Sequence, residues 1–237
     1  GSFAEALEWT AEVYKAAGAR LARRGALRGV ADEGGYWPAF KTNEEAVVEL
    51  TGAISDAGFE PGADIGIALD VAATQLWRDG RYHLALEKRS LSAEQLHAML
   101  LAWIERYPIV SSEDPFAEHH AEAMASFTRT AGGRIQIVGD DFFVTDEKKL
   151  LQGKARGACN AVLLKPNQVG TLTETLACWR AAQEAGYGAI VSARSGETED
   201  VSIVHLAVGW GVPQLKVGSF ARSERMAKWN EGIRIEE

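Results

Sequence analysis

Three carboxylates, two lysines, an arginine–serine pair and one glutamate in a glycine-rich loop are the residues whose placement could do chemistry. Asp70, Glu113 and Asp140 follow the short apolar runs IGIAL, PIVSS and RIQIVG; Lys165 ends NAVLLK, Arg194 and Ser195 end GAIVSARS, and Lys216 ends PQLK. Three anions brought to one spot repel each other unless a cation sits between them, and hard oxygen ligands suit magnesium, Mg2+. Taken singly, each is equally a solvated loop carboxylate or a helix cap. Lys165, facing such a cluster, is either a structural counter-ion or, if cations such as the metal and Lys216 favour its neutral form, a general base. Arg194 with Ser195 offers a forked guanidinium and a hydroxyl, a combination suited to phosphate, the alternative being a surface salt bridge. Lys216 could hold a carboxylate or phosphate. Glu33 lies in DEGG, where small neighbours let backbone approach a ligand; otherwise it is an ordinary turn acid. A metal, a base, an acid and an anion clamp together specify proton abstraction next to a carboxylate, with the metal stabilising enolate-like charge. Loss of a β-hydroxyl assisted by Glu33 would complete an elimination.

The elements that must position these residues read as strand and helix in alternation. Ser2 with Glu5 fits a capping box, and Phe3, Leu7, Tyr14, Ala17 and Leu21 recur at helical spacing to about Arg24. GVADEGGYWPAF, rich in glycine and without periodicity, reads as a loop. Asn43 to Ala57 reads as a helix with Val47, Val48, Leu50, Thr51 and Ile54 toward the core. From Ile65 onward, six strands are predicted, ending at Asp70, Glu113, Asp140–Asp141, Lys165, Arg194 and Lys216. Asp79-Gly80 signals a small hairpin after the first, and Ser92 caps a long helix. Further helices are expected near Glu118 to Thr130, before NAVLLK, over Thr171 to Ala185, around Val201 to Val208 and from about Ser219. Strands alternating with helices imply a parallel sheet. A (β/α) barrel gathers its active site from the carboxyl ends of different strands, whereas a doubly wound sheet binds at one switch point. No linker or repeat divides the chain, so one domain is expected.

Composition narrows the partners. With 46% hydrophobic and 24% charged residues over 237 positions, the chain has the make-up of a soluble globular protein. Its net charge of -8 disfavours a phosphate-backbone ligand, so no nucleic acid is expected. No apolar run has the length of a membrane span and no basic-then-apolar leader opens the chain, so the expected location is cytoplasmic, with no membrane contact. Cys159 and Cys178 are the only cysteines, expected as buried free thiols.

The residues also form recognisable strings. DEGG (Asp32 to Gly35), ALDVAA (Ala68 to Ala73), SEDPF (Ser112 to Phe116), VGDD (Val138 to Asp141), LLKPNQVGT (Leu163 to Thr171), RSGETED (Arg194 to Asp200) and ARSERMAKWNEGIRIEE (Ala221 to Glu237) resemble, in order, the barrel domain of enolase. The resemblance implies an enolase-type (β/α) barrel with its carboxyl-terminal six strands present, incomplete without an amino-terminal portion that carries a capping domain and the first two barrel strands. It also implies dehydration of 2-phosphoglycerate to phosphoenolpyruvate with magnesium. Asp70, Glu113 and Asp140 would hold the tighter-bound magnesium and Lys165 would take the C2 proton. Glu33 would act on the leaving C3 hydroxyl, Arg194 and Ser195 would hold the phosphate, Lys216 the carboxylate side, and Asp141 would support the ligands. His119 and His120 stand where the family usually has acids and read as a solvated helix start. Enolases carry a histidine before the Arg-Ser pair where this chain has Ala193. A related enzyme of phosphonate biosynthesis, of the carboxyphosphonoenolpyruvate synthase type, or a non-catalytic enolase-like subunit is the alternative. The expected partners are a small phosphorylated or phosphonate carboxylate and, as enolases are commonly dimers, a second copy or a chain supplying the amino-terminal half.

Overall fold

The computed structural model describes residues 1–237. Contacts divide the chain into two compact units, Gly1–Ile65 with Val191–Glu237, and Gly66–Ile190.

In the first unit, helix α1 (Phe3–Arg23) begins at Ser2, whose hydroxyl accepts the Glu5 N–H at 3.0 Å. The stretch read as a loop instead forms a ribbon of β1 (Leu27–Val30) and β2 (Tyr36–Pro38), antiparallel with an irregular register. Every β1 residue is exposed, so no alternating pattern marks it; backbone pairing alone makes the strand. Helix α2 (Glu44–Asp56) buries Val47, Ala53 and Ile54, whereas Val48 and Leu50 are exposed, against expectation. The inward place is taken by Glu49, whose carboxylate meets Arg20 Nε at 3.0 Å and also pairs with Arg24. A charge is tolerated at that position because two guanidinium groups pair with it.

The second unit opens with β3 (Ile67–Asp70), a 3-10 turn (Ala73–Leu76) and a small sheet of β4 (Trp77–Arg78), β5 (Arg81–Leu84) and β6 (Arg89–Leu91). Asp79 and Gly80, both at positive φ (50° and 76°), make the two-residue turn between β4 and β5, and β6 adds a third strand to the expected hairpin. Helix α3 (Ala93–Arg106) starts with a full capping box, Ser92 with Gln95. Then come β7 (Ile109–Glu113), α4 (Ala121–Ala131), β8 (Gln136–Gly139), α5 (Glu147–Arg156), β9 (Ala161–Leu164), α6 (Pro166–Val169), α7 (Leu172–Ala185) and β10 (Gly188–Ser192), inside which the unit boundary falls. The first unit resumes with α8 (Ser202–Trp210), β11 (Gln214–Lys216) and α9 (Ser223–Glu236).

Strand order is β11-β10-β9-β8-β7-β3, with β3, β7, β8 and β9 paired in parallel. This is the expected six-stranded part of an α/β barrel. All four residues of β9, AVLL, are fully buried, as suits a parallel strand covered on both faces. Cys159 and Cys178 are buried and free, and burial raises both thiols, Cys178 to about 12. No helix is long and apolar enough to cross a membrane.

Candidate active site

The eight candidate residues divide equally between the units. In the unit Gly66–Ile190, Asp70 pairs in register with Glu113, Glu113 with Val138, and Val138 with Ala161. Side chains alternate along a strand, so residues in register or two apart share a face. Asp140 lies two beyond Val138 and Lys165 four beyond Ala161, so Asp70, Glu113, Asp140 and Lys165 belong to one face. It is the face whose deeper level is the apolar cluster Val138, Ala161, Leu163 and Ile190. Each of the four ends its strand or follows it by one residue.

The contact that joins them is Lys165 Nζ to Asp140 Oδ2, at 2.6 Å, with side chains only 11% and 14% exposed. Glu113 is buried and Asp70 exposed on β3 at the end of the sheet order. Asp140 Oδ1 is buried without a hydrogen-bond partner. A buried carboxylate oxygen left in that state is what a hard cation would satisfy, and all three donors are oxygens of the kind magnesium takes. In chemistry the residues fit that ion, although their side chains as they stand do not gather into a group of three metal-binding residues.

Two neighbours that sequence reasoning passed over hold this half in place. Asp114, buried and at φ 38°, accepts the backbone N–H of Asp140 at 2.9 Å and of Asp141 at 2.8 Å, one on each oxygen. It thereby ties the end of β7 to the end of β8. Burial pushes its carboxyl up to about 7, with the Asp140 and Asp141 charges adding and the two N–H bonds opposing. Thr145, fully buried, accepts the Lys165 N–H at 2.9 Å and donates to the Leu163 carbonyl at 3.2 Å. The acid in SEDPF was visible as a motif, but nothing in its spacing marks it as a bridge. Thr145 carried no signal at all.

His119 is exposed, as expected, but His120 is not simply solvated. Its Nδ1 is 2.8 Å from the Tyr82 hydroxyl and its ring stands edge-on to Trp77 at 4.1 Å. Tyr82 is fully buried and its oxygen accepts the Ala117 N–H at 3.0 Å, so its proton is free for His120 Nδ1. These histidines help line a hollow of about 670 Å³ with Trp77, His97 and Arg156, and none of the eight candidates lines it.

In the other unit, Glu33 is exposed, and its carbonyl accepts the Ser219 N–H at 2.7 Å. Arg194 is half-buried and Ser195 exposed; the Arg194 N–H donates to Glu197 Oε1 at 2.8 Å. Lys216 is half-buried, and its carbonyl accepts the Ala193 N–H at 2.8 Å, which joins the ends of β10 and β11. Ala193 is buried, with its carbonyl taking the Ser192 hydroxyl at 2.8 Å. Behind these ends lie two cations that sequence reasoning also passed over, Arg225 and Lys228, both without solvent exposure. Glu197 joins the systems, since its other oxygen is 3.1 Å from Lys228 Nζ.

The family model described as enolase, C-terminal TIM barrel domain, matches residues 1–237.

Proposed function

From a chain that belongs to the enolase family, matched end to end by its carboxyl-terminal barrel domain, we propose a magnesium-dependent lyase that dehydrates 2-phosphoglycerate to phosphoenolpyruvate. The family is generally magnesium-dependent, and Asp70, Glu113 and Asp140 would hold the ion. Bound there, magnesium would supply positive charge against the carboxylate as negative charge develops on it. The observation that carries the reading is the Lys165–Asp140 contact of 2.6 Å at adjacent strand ends, a base beside a metal ligand on the face shared with Glu113 and Asp70.

As a neutral amine, Lys165 Nζ takes the proton from C2, and the electron pair of that C–H bond becomes the C2–C3 double bond as the C3–O bond breaks. Glu33, in its protonated form, gives its proton to the departing hydroxide, which leaves as water. Arg194 and Ser195 hold the phosphate by the planar fork and the hydroxyl, and Lys216 faces the substrate carboxylate. Fixing the substrate by both anionic ends supplies orientation, which can account for several orders of magnitude in rate. The test is the absorbance of phosphoenolpyruvate formed from 2-phosphoglycerate with magnesium, and its loss on chelation. Absence of turnover by the protein in its native assembly refutes the reading.

Ala193 favours a second reading. Ala193 is buried, and by the resemblance an imidazole would stand at its position in enolases, so the substrate group beside the Arg194–Ser195 clamp would meet a methyl instead. An enolase-like enzyme of phosphonate biosynthesis would use the same base and metal ligands on a phosphonate co-substrate. Product detected by phosphorus NMR only when that co-substrate is present would select it.

A further inference from the structure

Arg225 is the largest fully buried side chain of the protein, and its position is unusual for a cation. Its Nη1 donates to the carbonyls of Arg194 at 2.8 Å and Val217 at 2.7 Å. Its Nη2 donates to the carbonyls of Ser195 at 2.6 Å and Asp32 at 3.4 Å. Nε has no hydrogen-bond partner, and the nearest carboxylate oxygen, on Glu224, is 4.0 Å from it. So one guanidinium takes carbonyls from three segments far apart in sequence: the loop carrying Glu33, the loop of Arg194 and Ser195, and the residue after Lys216.

Packing on the far side closes the arrangement. Gly218, at φ 141°, brings its backbone so near that a Cβ there would lie 2.6 Å from the Glu33 carbonyl oxygen and 2.7 Å from Arg225 Cδ. Only a residue without a side chain fits between them. Lys228 extends the same system along α9: its Nζ donates to the carbonyls of Thr198 at 2.8 Å and Glu224 at 3.1 Å.

We propose that Arg225 is a positioning residue that sets Glu33, Arg194, Ser195 and Lys216 in one fixed arrangement, the acid and anion-binding half of the site. This rests on the roles assigned to those four residues above. The geometry needs a fork: two nitrogens in one plane reach four carbonyls, whereas an ammonium is a single point with three donors. The charge has a second effect. The guanidinium is held by four carbonyls, with the Glu224 carboxylate 4.0 Å from Nε, and it places positive charge behind the Arg194–Ser195 loop, where the phosphate would bind.

The test is Arg225→Lys, which keeps the charge and removes the fork, beside Leu21→Ala, a core truncation elsewhere in the same unit. Amide exchange in the absence of ligand is read on peptides covering residues 31–35, 194–199 and 217–219. The expected result for Arg225→Lys is exchange about tenfold faster in all three together, while Leu21→Ala leaves them matched to α1 and α2. In turnover of 2-phosphoglycerate, Arg225→Lys is expected to lower kcat about a hundredfold and raise KM, with neither changed per folded molecule in Leu21→Ala. Unaltered exchange in the three segments, or faster exchange in only one, overturns the proposal. Faster exchange in all three without turnover by the unaltered protein overturns the assigned lyase function and leaves the stapling role standing. Should Arg225→Lys not fold, the unaltered protein decides: the Gly34, Arg194 and Ser219 amides must open at one shared rate, and separate rates overturn the proposal.

Discussion

Replacing Asp114 by asparagine removes a pH dependence of stability that can be worked out in advance. In the folded protein burial, as the largest cause, moves this carboxyl from 3.8 to about 7, which corresponds to about 4 kcal/mol. The folded state therefore holds a proton that the unfolded chain gives up near 3.8. Between these two values the unfolded state binds fewer protons, so the contribution of Asp114 to stability declines as pH rises. It is complete below 3.8 and has lost about 4 kcal/mol above 7. Asparagine does not titrate, but it has a single acceptor oxygen for the two N–H groups of Asp140 and Asp141 and turns an NH2 toward the other. Leaving one buried donor unsatisfied costs roughly 1–3 kcal/mol at every pH. Asp114→Asn should thus be the less stable protein near pH 4 and the more stable one at pH 8, with the curves crossing at about pH 4.5 to 6. Urea denaturation of both proteins from pH 4 to pH 8, in chelator-treated buffer, measures the difference. A constant difference refutes the dominance of burial. A difference growing in favour of the aspartate with pH would mean that the two N–H bonds prevail.

Other perturbations test separate parts of the structure. Lys165→Met should lower kcat by about 10²–10⁴-fold if Nζ is the base, measured by phosphoenolpyruvate absorbance. It also leaves the Asp140 carboxylate, buried and already unpartnered at Oδ1, without its counter-ion, a loss of about 3–5 kcal/mol in urea denaturation. Tyr82→Phe removes the acceptor of the Ala117 N–H and the partner of His120 Nδ1, and should destabilise by about 1–3 kcal/mol in the same assay. Gly218→Ala forces a Cβ against the Glu33 carbonyl at positive φ; a stability loss well above about 1 kcal/mol is expected, and a neutral result would contradict the close approach. Neither Cys159 nor Cys178 should react with a thiol reagent at pH 8 until denaturant is added, because burial raises both thiols.

What the sequence made legible is what repeats or caps. Ser2 with Glu5 and Ser92 ahead of the long helix each mark a helix start through a hydroxyl that accepts the orphan N–H three residues on, and each marks the right place. Apolar runs such as NAVLL announce buried parallel strands, and the residues after them are candidates for a reason that needs no coordinates. The β1–β2 ribbon was hidden because its ladder is backbone only, with no buried face to impose alternation on the side chains. Leu50 was misplaced because propensity and hydrophobicity describe residues one at a time, while the burial of Glu49 is decided by Arg20 on α1 and Arg24 at its end.

The same limit explains why the residues that hold the candidate site escaped notice while those thought to act in it did not. On α9 the fully or nearly fully buried positions are Arg225, Lys228 and Gly232, spaced as i, i+3 and i+7, which is the spacing of a core-facing stripe. A hydrophobicity pattern assigns that stripe to solvent, because two of its three members are cations. Its inward orientation follows only from what they meet: carbonyls of residues 32, 194, 195, 198 and 217, which no apolar side chain could satisfy, and the Phe3 ring, against which Gly232 leaves no room for a Cβ. Burying such charges costs free energy that an apolar stripe would not. The helix therefore gives up part of what it could add to stability, and what it provides in return is the fixed placement of strand ends and loops carrying Glu33, Arg194, Ser195 and Lys216.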